Sequence, residues 1–300
     1  MNNNDFNKQN IDPEVPIFII ETDEDIVTPG LPTIPPKKGL SIKALLFSVF
    51  IVVSAILAYA GYKIWEKNYD TGISISVSPR ENIKKLKRPV SNEAAQVILT
   101  QDTILEVGLN IYELQGLQGG LELNRPSKRD KDVYLYCSSA DYTSVGHYLG
   151  TLVHKGKQLP SSNLRLGYMA MLGGNNVIGI SKSEKVKEYI MENGGDFFRQ
   201  FILVSDGELP TRFYLHGKVE RCAMGRTEDD RLYFITSQHK ATMRSFASAL
   251  REYGFVDAIY ITGGGFNTYY RDSSGNTKDI FPGRSQGNSY KGLWLVFRKR

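Results

Sequence analysis

Residues 258–272 read AIYITGGGFNTYYRD: an apolar, strand-like run, three glycines at Gly263, Gly264 and Gly265, then aromatic, amide and charged side chains. Glycine adopts positive φ and has no side chain to hold a ligand away, so a triple glycine lets a substrate reach bare main-chain amides, which suit an anionic group. A tight turn at a strand end is the plain alternative for the same three residues. Other chemistry-bearing residues are sparse. His147, His154, His216 and His239 are scattered without His-x-x-x-His spacing, and Cys137 and Cys222 show no CxxC spacing. Neither a metal site nor a thioredoxin-type redox pair is indicated, and no cofactor is expected. The two cysteines could form one bridge or stay as buried thiols.

The elements that must hold the glycines can be read from periodicity. TMRSFASALREYGF (residues 242–255) places Met243, Phe246, Ala247, Leu250 and Tyr253 on one helical face and ends at Gly254. The strand VDAIYI follows, which puts residues 262–265 at its carboxyl end, where ligands commonly meet α/β structures. Upstream, Val107, Leu109 and Ile111 alternate as a half-buried strand does, and DVYLYC, GKQL, YMAML and NVIGI are further strands, the last two joined through Gly173-Gly174. A short helix is expected at 184–193, capped by Ser183 and stopped by Gly194. FFRQFILVSDGE and RFYLHGK read as two more strands, and RCAMGRTEDDRLYFIT as strands on both sides of a polar turn. The fold class expected is α+β, a mixed, strand-rich central sheet flanked by a few helices and preceded by one transmembrane helix.

That helix rests on Ala44–Tyr62, nineteen residues without a charge, close to the length that spans a hydrocarbon core of roughly 30 Å. Lys43 and Lys63 bracket it, and Tyr62 and Trp65 suit the interface. More than forty residues precede the run, so an uncleaved anchor is expected rather than a signal peptide. The organisation expected is a disordered acidic, Pro-rich tail at 1–40, a transmembrane helix at 41–66, a connector at 67–98 and one domain at 99–300. The apolar island Val15–Ile20 in the tail could dock onto a cytoplasmic partner or be merely a sticky stretch. In residues 1–36, Lys8 stands against Asp5, Asp12, Glu14, Glu21, Asp23, Glu24 and Asp25, a net of −6, so the total of +5 leaves +11 for the remainder. Such a surplus suits anionic ligands or membrane surfaces, but it lacks the dense basic stripe of nucleic-acid binding, and no nucleic-acid partner is expected.

The order RCAMG, LYFIT, amphipathic helix, DAIYITGGG resembles the phosphodiester glycosidase family, whose members share an Arg-x-Ala-x-Gly strand, a helix and an Asp-Gly-Gly-Gly turn. The resemblance covers roughly residues 104–300. It implies cleavage of a sugar from a phosphodiester, with a sugar phosphodiester or anionic glycan as partner. Arg221 matches the family arginine, whose planar fork can hold two phosphate oxygens. The resemblance further implies substrate contacts at Gly263, Gly264, Gly265, Asn267, Arg271 and Arg226. The chain departs from the family at Thr262, where the family has Asp, and at CSSADY, where it has Asn-Gly-Phe-Phe. A neutral threonine cannot stabilise an oxocarbenium ion as a carboxylate does. Asp141 or Asp272 could supply the missing charge, although Asp272 also fits a plain Asp-Ser-Ser-Gly turn. Two readings follow: an anchored enzyme acting outside the cytoplasm, with the amino terminus inside, or a non-catalytic relative that binds glycan or an assembly partner.

Overall fold

The computed structural model describes residues 41–69, 78–90, 92–139, 148–161, 165–213, 215–261, 268–281 and 293–300. The tail with its Val15–Ile20 island lies outside them, as do Asp141, His147, Thr262, the three glycines and Asn267. Helix α1 (Ile42–Tyr69) contains Ile42–Ile64, 23 residues of mean hydropathy 2.4 that are long and apolar enough to cross a membrane. Its Leu45, Phe47, Phe50 and Leu57 are all exposed, so the helix is apolar all round rather than along one stripe. By packing, the chain divides at Val52–Val53, inside α1, and everything below belongs to the second unit.

Helix α2 (Pro79–Leu86) is capped by Ser78, whose hydroxyl accepts from Arg80 N, and packs on the helix Lys185–Glu192 and the strand Asn175–Ile180. Five strands follow: β1 (Gln96–Ile104), β2 (Val107–Gln115), β3 (Leu117–Glu122), β4 (Val133–Ser138) and β5 (Leu152–His154). Then come β6 (Lys157–Leu159), β7 (Gly167–Leu172), β8 (Asn175–Ile180) and helix α3 (Lys185–Glu192). Strands β9 (Asp196–Gln200), β10 (Ile202–Val204), β11 (Cys222–Thr227) and β12 (Leu232–Ser237) lead to helix α4 (Met243–Tyr253). The chain closes with β13 (Phe255–Ile261), β14 (Tyr269–Arg271), β15 (Thr277–Asp279) and β16 (Trp294–Lys299).

Among the described residues the strands form three antiparallel sheets, in the orders β1-β2-β12-β11-β13-β10, β15-β14-β4-β16-β3 and β6-β5-β9-β7-β8. The α+β class expected from the sequence is what the chain adopts, with the strands shared among three sheets instead of one. All three contribute to one core: Cys222, Met224 and Ile259 from the first, Leu135, Cys137 and Leu295 from the second, Met169, Ile178 and Phe198 from the third. The other face of the first sheet carries α4, whose Phe246, Ala247 and Leu250 pack with Ala223, Ala258 and Tyr260. Thr242 starts α4 by accepting from Ser245 N at 3.0 Å, and Gly254 ends it at φ +113.

The period of two along β11 explains its small residues. Cys222 and Met224 face the common core while Ala223 and Gly225 face the helix side. A Cβ on Gly225 would stand 2.8 Å from Phe255 Cδ1 and 2.9 Å from Ile235 Cδ1, so that glycine is a packing requirement.

Three sequence expectations are corrected. The run FFRQFILV is not one strand: β9 pairs with β5 and β7 in the third sheet, β10 with β13 in the first, and the chain changes sheets at Phe201. Both halves are buried, so each satisfies its backbone in the sheet it enters. RFYLHGK forms no strand over its described residues. Phe213 and Leu215 instead pack against the α4 cluster, and Arg244 donates to Thr211 O at 3.0 Å. Ser183 is not the cap of α3. Glu184 occupies that position without a side-chain bond, and Ser183 Oγ accepts from Lys185 N at 3.3 Å.

Candidate functional site

The described ends of the motif strands meet at one corner. Antiparallel pairing sets Cys222 opposite Ile261, so Arg221, one residue before β11, lies beside the point where β13 ends and the threonine-glycine segment begins. Cys137, near the end of β4, shares the core with Cys222, and burial first and Cys222 second push the Cys137 thiol well up. Both cysteines are buried thiols outside any disulfide, the second of the two states open from the sequence. Ser139 fixes the exit of β4 by donating to Leu293 O through its N, at 3.1 Å, and its hydroxyl, at 2.7 Å. Tyr269 pairs with Tyr136, which brings Thr268 to the same end of β4. Ser139, Ile261, Thr268 and Leu293 are residues from which undescribed segments depart or to which they return; strand pairing sets Arg221 beside Ile261 in the first sheet and gathers Ser139, Thr268 and Leu293 in the second, and the core shared by Cys222 and Cys137 joins the two groups.

Arg221 is 2% exposed. Its main chain exchanges hydrogen bonds with Ser237, Arg221 N donating to Ser237 Oγ and Ser237 N to Arg221 O, both at 2.9 Å. In the side chain, Nε donates to Ala241 O at 3.1 Å and one terminal nitrogen donates to Gly217 O at 2.9 Å. The guanidinium carbon stands 6.0 Å from the centre of the Tyr260 ring. Two of its five N–H donors are therefore taken by carbonyls, and among the described residues no carboxylate pairs with it. A guanidinium so far out of water has a large desolvation cost that carbonyl dipoles offset only in part, and an anion would complete it.

The other two arginines expected at the site lie elsewhere. Arg226 is at the far end of β11, where it donates to Asp257 and to Asp230. Arg226 is 8% and Asp257 2% exposed, a buried ion pair that occupies the fork. Burial alone lowers the Arg226 pKa, and the two aspartates outweigh it and raise the value. Arg271 sits beside the beginning of β4, opposite the corner. Its guanidinium donates to Val133 O at 3.2 Å, Gly275 O at 2.9 Å, Asp130 O at 2.9 Å and Lys128 O at 3.4 Å, a stitch between two loops. Asp272 caps the β14–β15 turn, accepting from Ser274 N and Asn276 N and pairing with Lys278 at 3.0 Å, the plain turn reading.

Two cavities, of about 450 and 610 Å³, lie away from the corner and are not lined by Arg221. The first is walled by Lys85, Arg88, Asp230 and Arg231. The second is walled by His154 and Asp196, whose carboxylate holds the ring Nδ1 at 3.0 Å and also accepts from Leu121 N and Lys155 N at 2.8 Å. Asp196 thereby ties three strands together. No cluster of His, Cys, Asp and Glu that could hold a metal occurs among the described residues.

The sequence profile of the phosphodiester glycosidase family matches residues 137–291, half of the chain, and takes in β11, β13 and β14 and the last residues of β4. The chain belongs to the phosphodiester glycosidase family. Among solved structures, this glycosidase domain is similar to the catalytic domain of zebrafish N-acetylglucosamine-1-phosphodiester alpha-N-acetylglucosaminidase auto-inhibited by its pro-peptide. The TM-score is 0.50 at 13% identity over 72% of this chain and 86% of that one, a likeness of fold. A hypothetical protein from Synechocystis is also similar, with a TM-score of 0.45 at 10% identity over 71% of this chain and 64% of the other. No curated protein matches the chain in sequence.

Sequence reasoning passed over Arg165, Phe201 and Tyr260. Arg165 is 9% exposed, with its guanidinium carbon 3.7 Å from the centre of the Phe201 ring. Tyr260 N donates to Phe201 O at 2.8 Å, which ties that pair to β13. Nothing in SSNLRLG marks Arg165, because only the sheet change at Phe201 brings it there.

Proposed function

We propose that this protein is a membrane-anchored phosphodiester glycosidase that takes a sugar phosphodiester of a surface glycan at the Arg221 corner. The observation that carries the reading is a guanidinium 2% exposed, without a carboxylate among the described residues, beside the strand end that opens the glycine segment. Arg221 would hold the phosphate oxygens through its remaining donors, with the amides of Gly263, Gly264 and Gly265 and the Asn267 amide completing the cradle. Hydrolysis breaks the bond between the anomeric carbon and the phosphate oxygen, adds the hydroxyl of water to that carbon and releases a phosphate monoester. Phosphate leaves without strong acid help, so the demand falls on a carboxylate beside the developing cation. Asp141, two residues beyond Ser139, is the residue assigned to it. Helix α1 is the anchor, and the amino terminus is assigned to the cytoplasm and the domain to the outside, since large downstream domains cross largely regardless of flanking charge. The acidic tail would then meet a cytoplasmic partner.

Thr262 favours a second reading, a relative that binds its glycan without cleaving it. Incubating the full chain in detergent with a sugar-1-phosphodiester separates the two. Release of free sugar by the native chain, abolished in Arg221→Ala, supports the enzyme. A native chain that is inert but gains turnover in Thr262→Asp supports the binder. Turnover indifferent to Arg221→Ala removes the phosphate role of Arg221 altogether.

A further inference from the structure

We infer that the 610 Å³ cavity is a second ligand site, one that takes an uncharged sugar unit through the ring of His154. It does not depend on Arg221, which lies outside its wall. The wall is built from the edge strand β3, the β5–β6 and β7–β8 turns and the residues that lead from α3 into β9. Its chemistry centres on a histidine whose tautomer the fold fixes. Asp196 accepts from Lys155 N at Oδ1 and from Leu121 N at Oδ2, both at 2.8 Å, so the carboxylate is held as an acceptor and the ring Nδ1, 3.0 Å from Oδ1, is the donor. That leaves the lone pair of Nε2, which has no partner among the described residues, on a ring that lines the cavity. Such a nitrogen accepts from a hydroxyl.

The charges of the wall are already matched. Arg298 donates to Glu122 at 2.6 and 3.2 Å and to Asp130 at 2.6 Å, and Asp196 accepts its three bonds. The ammonium that remains, on Lys155, belongs to an exposed residue, where water and salt screen it, so an anion gains little here. What is left to a ligand is uncharged: the amides of Gln118 and Asn124 and the Nε2 acceptor, beside the apolar side chains of Leu123, Leu172 and Val296. Leu123 is 64% exposed, an apolar group with nothing laid over it. A sugar ring carries hydroxyls at its edge and C–H groups on its faces, which this mixed wall matches, and the volume falls within the range of about 300–1,000 Å³ usual for small-molecule sites. Gly120 keeps the space open. A Cβ there would meet Asp196 Oδ2 at 3.3 Å and no other atom within 4 Å, and its φ lies outside the left-handed region, so a side chain at 120 enters the cavity without backbone strain.

The test is saturation-transfer nuclear magnetic resonance on the full chain in detergent with the methyl glycosides of glucose, galactose, mannose and N-acetylglucosamine. The native chain should transfer saturation to at least one of them. His154→Phe keeps a ring and removes the acceptor, and it should weaken that glycoside about tenfold, the cost of leaving one hydroxyl unpaired. Gly120→Val fills the cavity and should weaken it at least as much. Should either variant lose its near-ultraviolet circular dichroism, diethyl pyrocarbonate on the native chain decides: the same glycoside at saturation should slow carbethoxylation of His154 and leave that of the exposed His239 unchanged. Affinity indifferent to both variants, carbethoxylation of His154 that the glycoside does not slow, or no transfer to any of the four probes overturns this inference. Each of those results leaves the Arg221 reading standing, since release of sugar from a phosphodiester tests that one.

Discussion

Asp257→Ala should destabilise the folded domain by about 3 kcal/mol while Arg226→Met leaves ligand affinity intact, because Arg226 belongs to the framework. Arg226 lies five residues along β11 from Arg221, roughly 16 Å at about 3.3 Å per residue. Its Nη2 donates to Asp257, and Asp257 also accepts from Asp206 N at 3.2 Å, so the carboxylate has two dependants. Removing one member of a buried pair costs about 3–5 kcal/mol, since the other charge is left uncompensated. Asp230 still holds the other arm of Arg226, and its side chain is 40% exposed, which moves the expectation to the lower end of that range. Urea unfolding followed by near-ultraviolet circular dichroism reads the loss, and the double change Arg226→Met with Asp257→Leu should recover most of it. A loss below about 1 kcal/mol for Asp257→Ala would refute the reasoning. So would an Arg226→Met chain that is fully stable and no longer binds a sugar phosphodiester.

The remaining expectations concern packing and titration. Gly225→Ala pushes a methyl against Phe255 and Ile235 and should cost about 1–3 kcal/mol in the same unfolding assay; a neutral result would mean that strand and helix side are loosely packed. For Asp230, burial raises the pKa, but Arg226, Lys85 and Arg88 outweigh it and hold the carboxyl below its ordinary 3.8. A depressed folded value contributes stability that is complete above the ordinary value and fades as pH falls through the folded one. The stability difference between the native chain and Asp230→Asn should therefore be constant near neutrality and shrink below about pH 4. A difference that grows in acid would reverse the assignment.

Much of the framework was legible in the sequence because its signals are local. The α4 stripe, the Gly254 stop and the apolar run of β13 declare themselves by spacing, and so does the alternation of β11. Strand β1 has no such signal: Val97 is its one buried residue and residues 98–103 are exposed, so this edge strand shows no apolar period. The change of sheet at Phe201 was hidden inside an unbroken apolar run, since burial on both sides erases the period that would mark a boundary. The arginines show the same limit at the site. Arg221 and Arg226 lie in one motif and look alike in sequence, but Arg226 is neutralised by Asp230 and by Asp257, the latter 31 residues away, and the donors of Arg271 are taken up by backbone carbonyls. Which arginine stays available to an anion is decided by tertiary contacts.

A crystal structure of the full chain soaked with a sugar phosphodiester tests the central claim most directly. The account predicts phosphate oxygens at about 2.8 Å from the terminal nitrogens of Arg221, beside the end of β13. Phosphate seated in the 450 or 610 Å³ cavity, with Arg221 touching only Ala241 and Gly217, would contradict it.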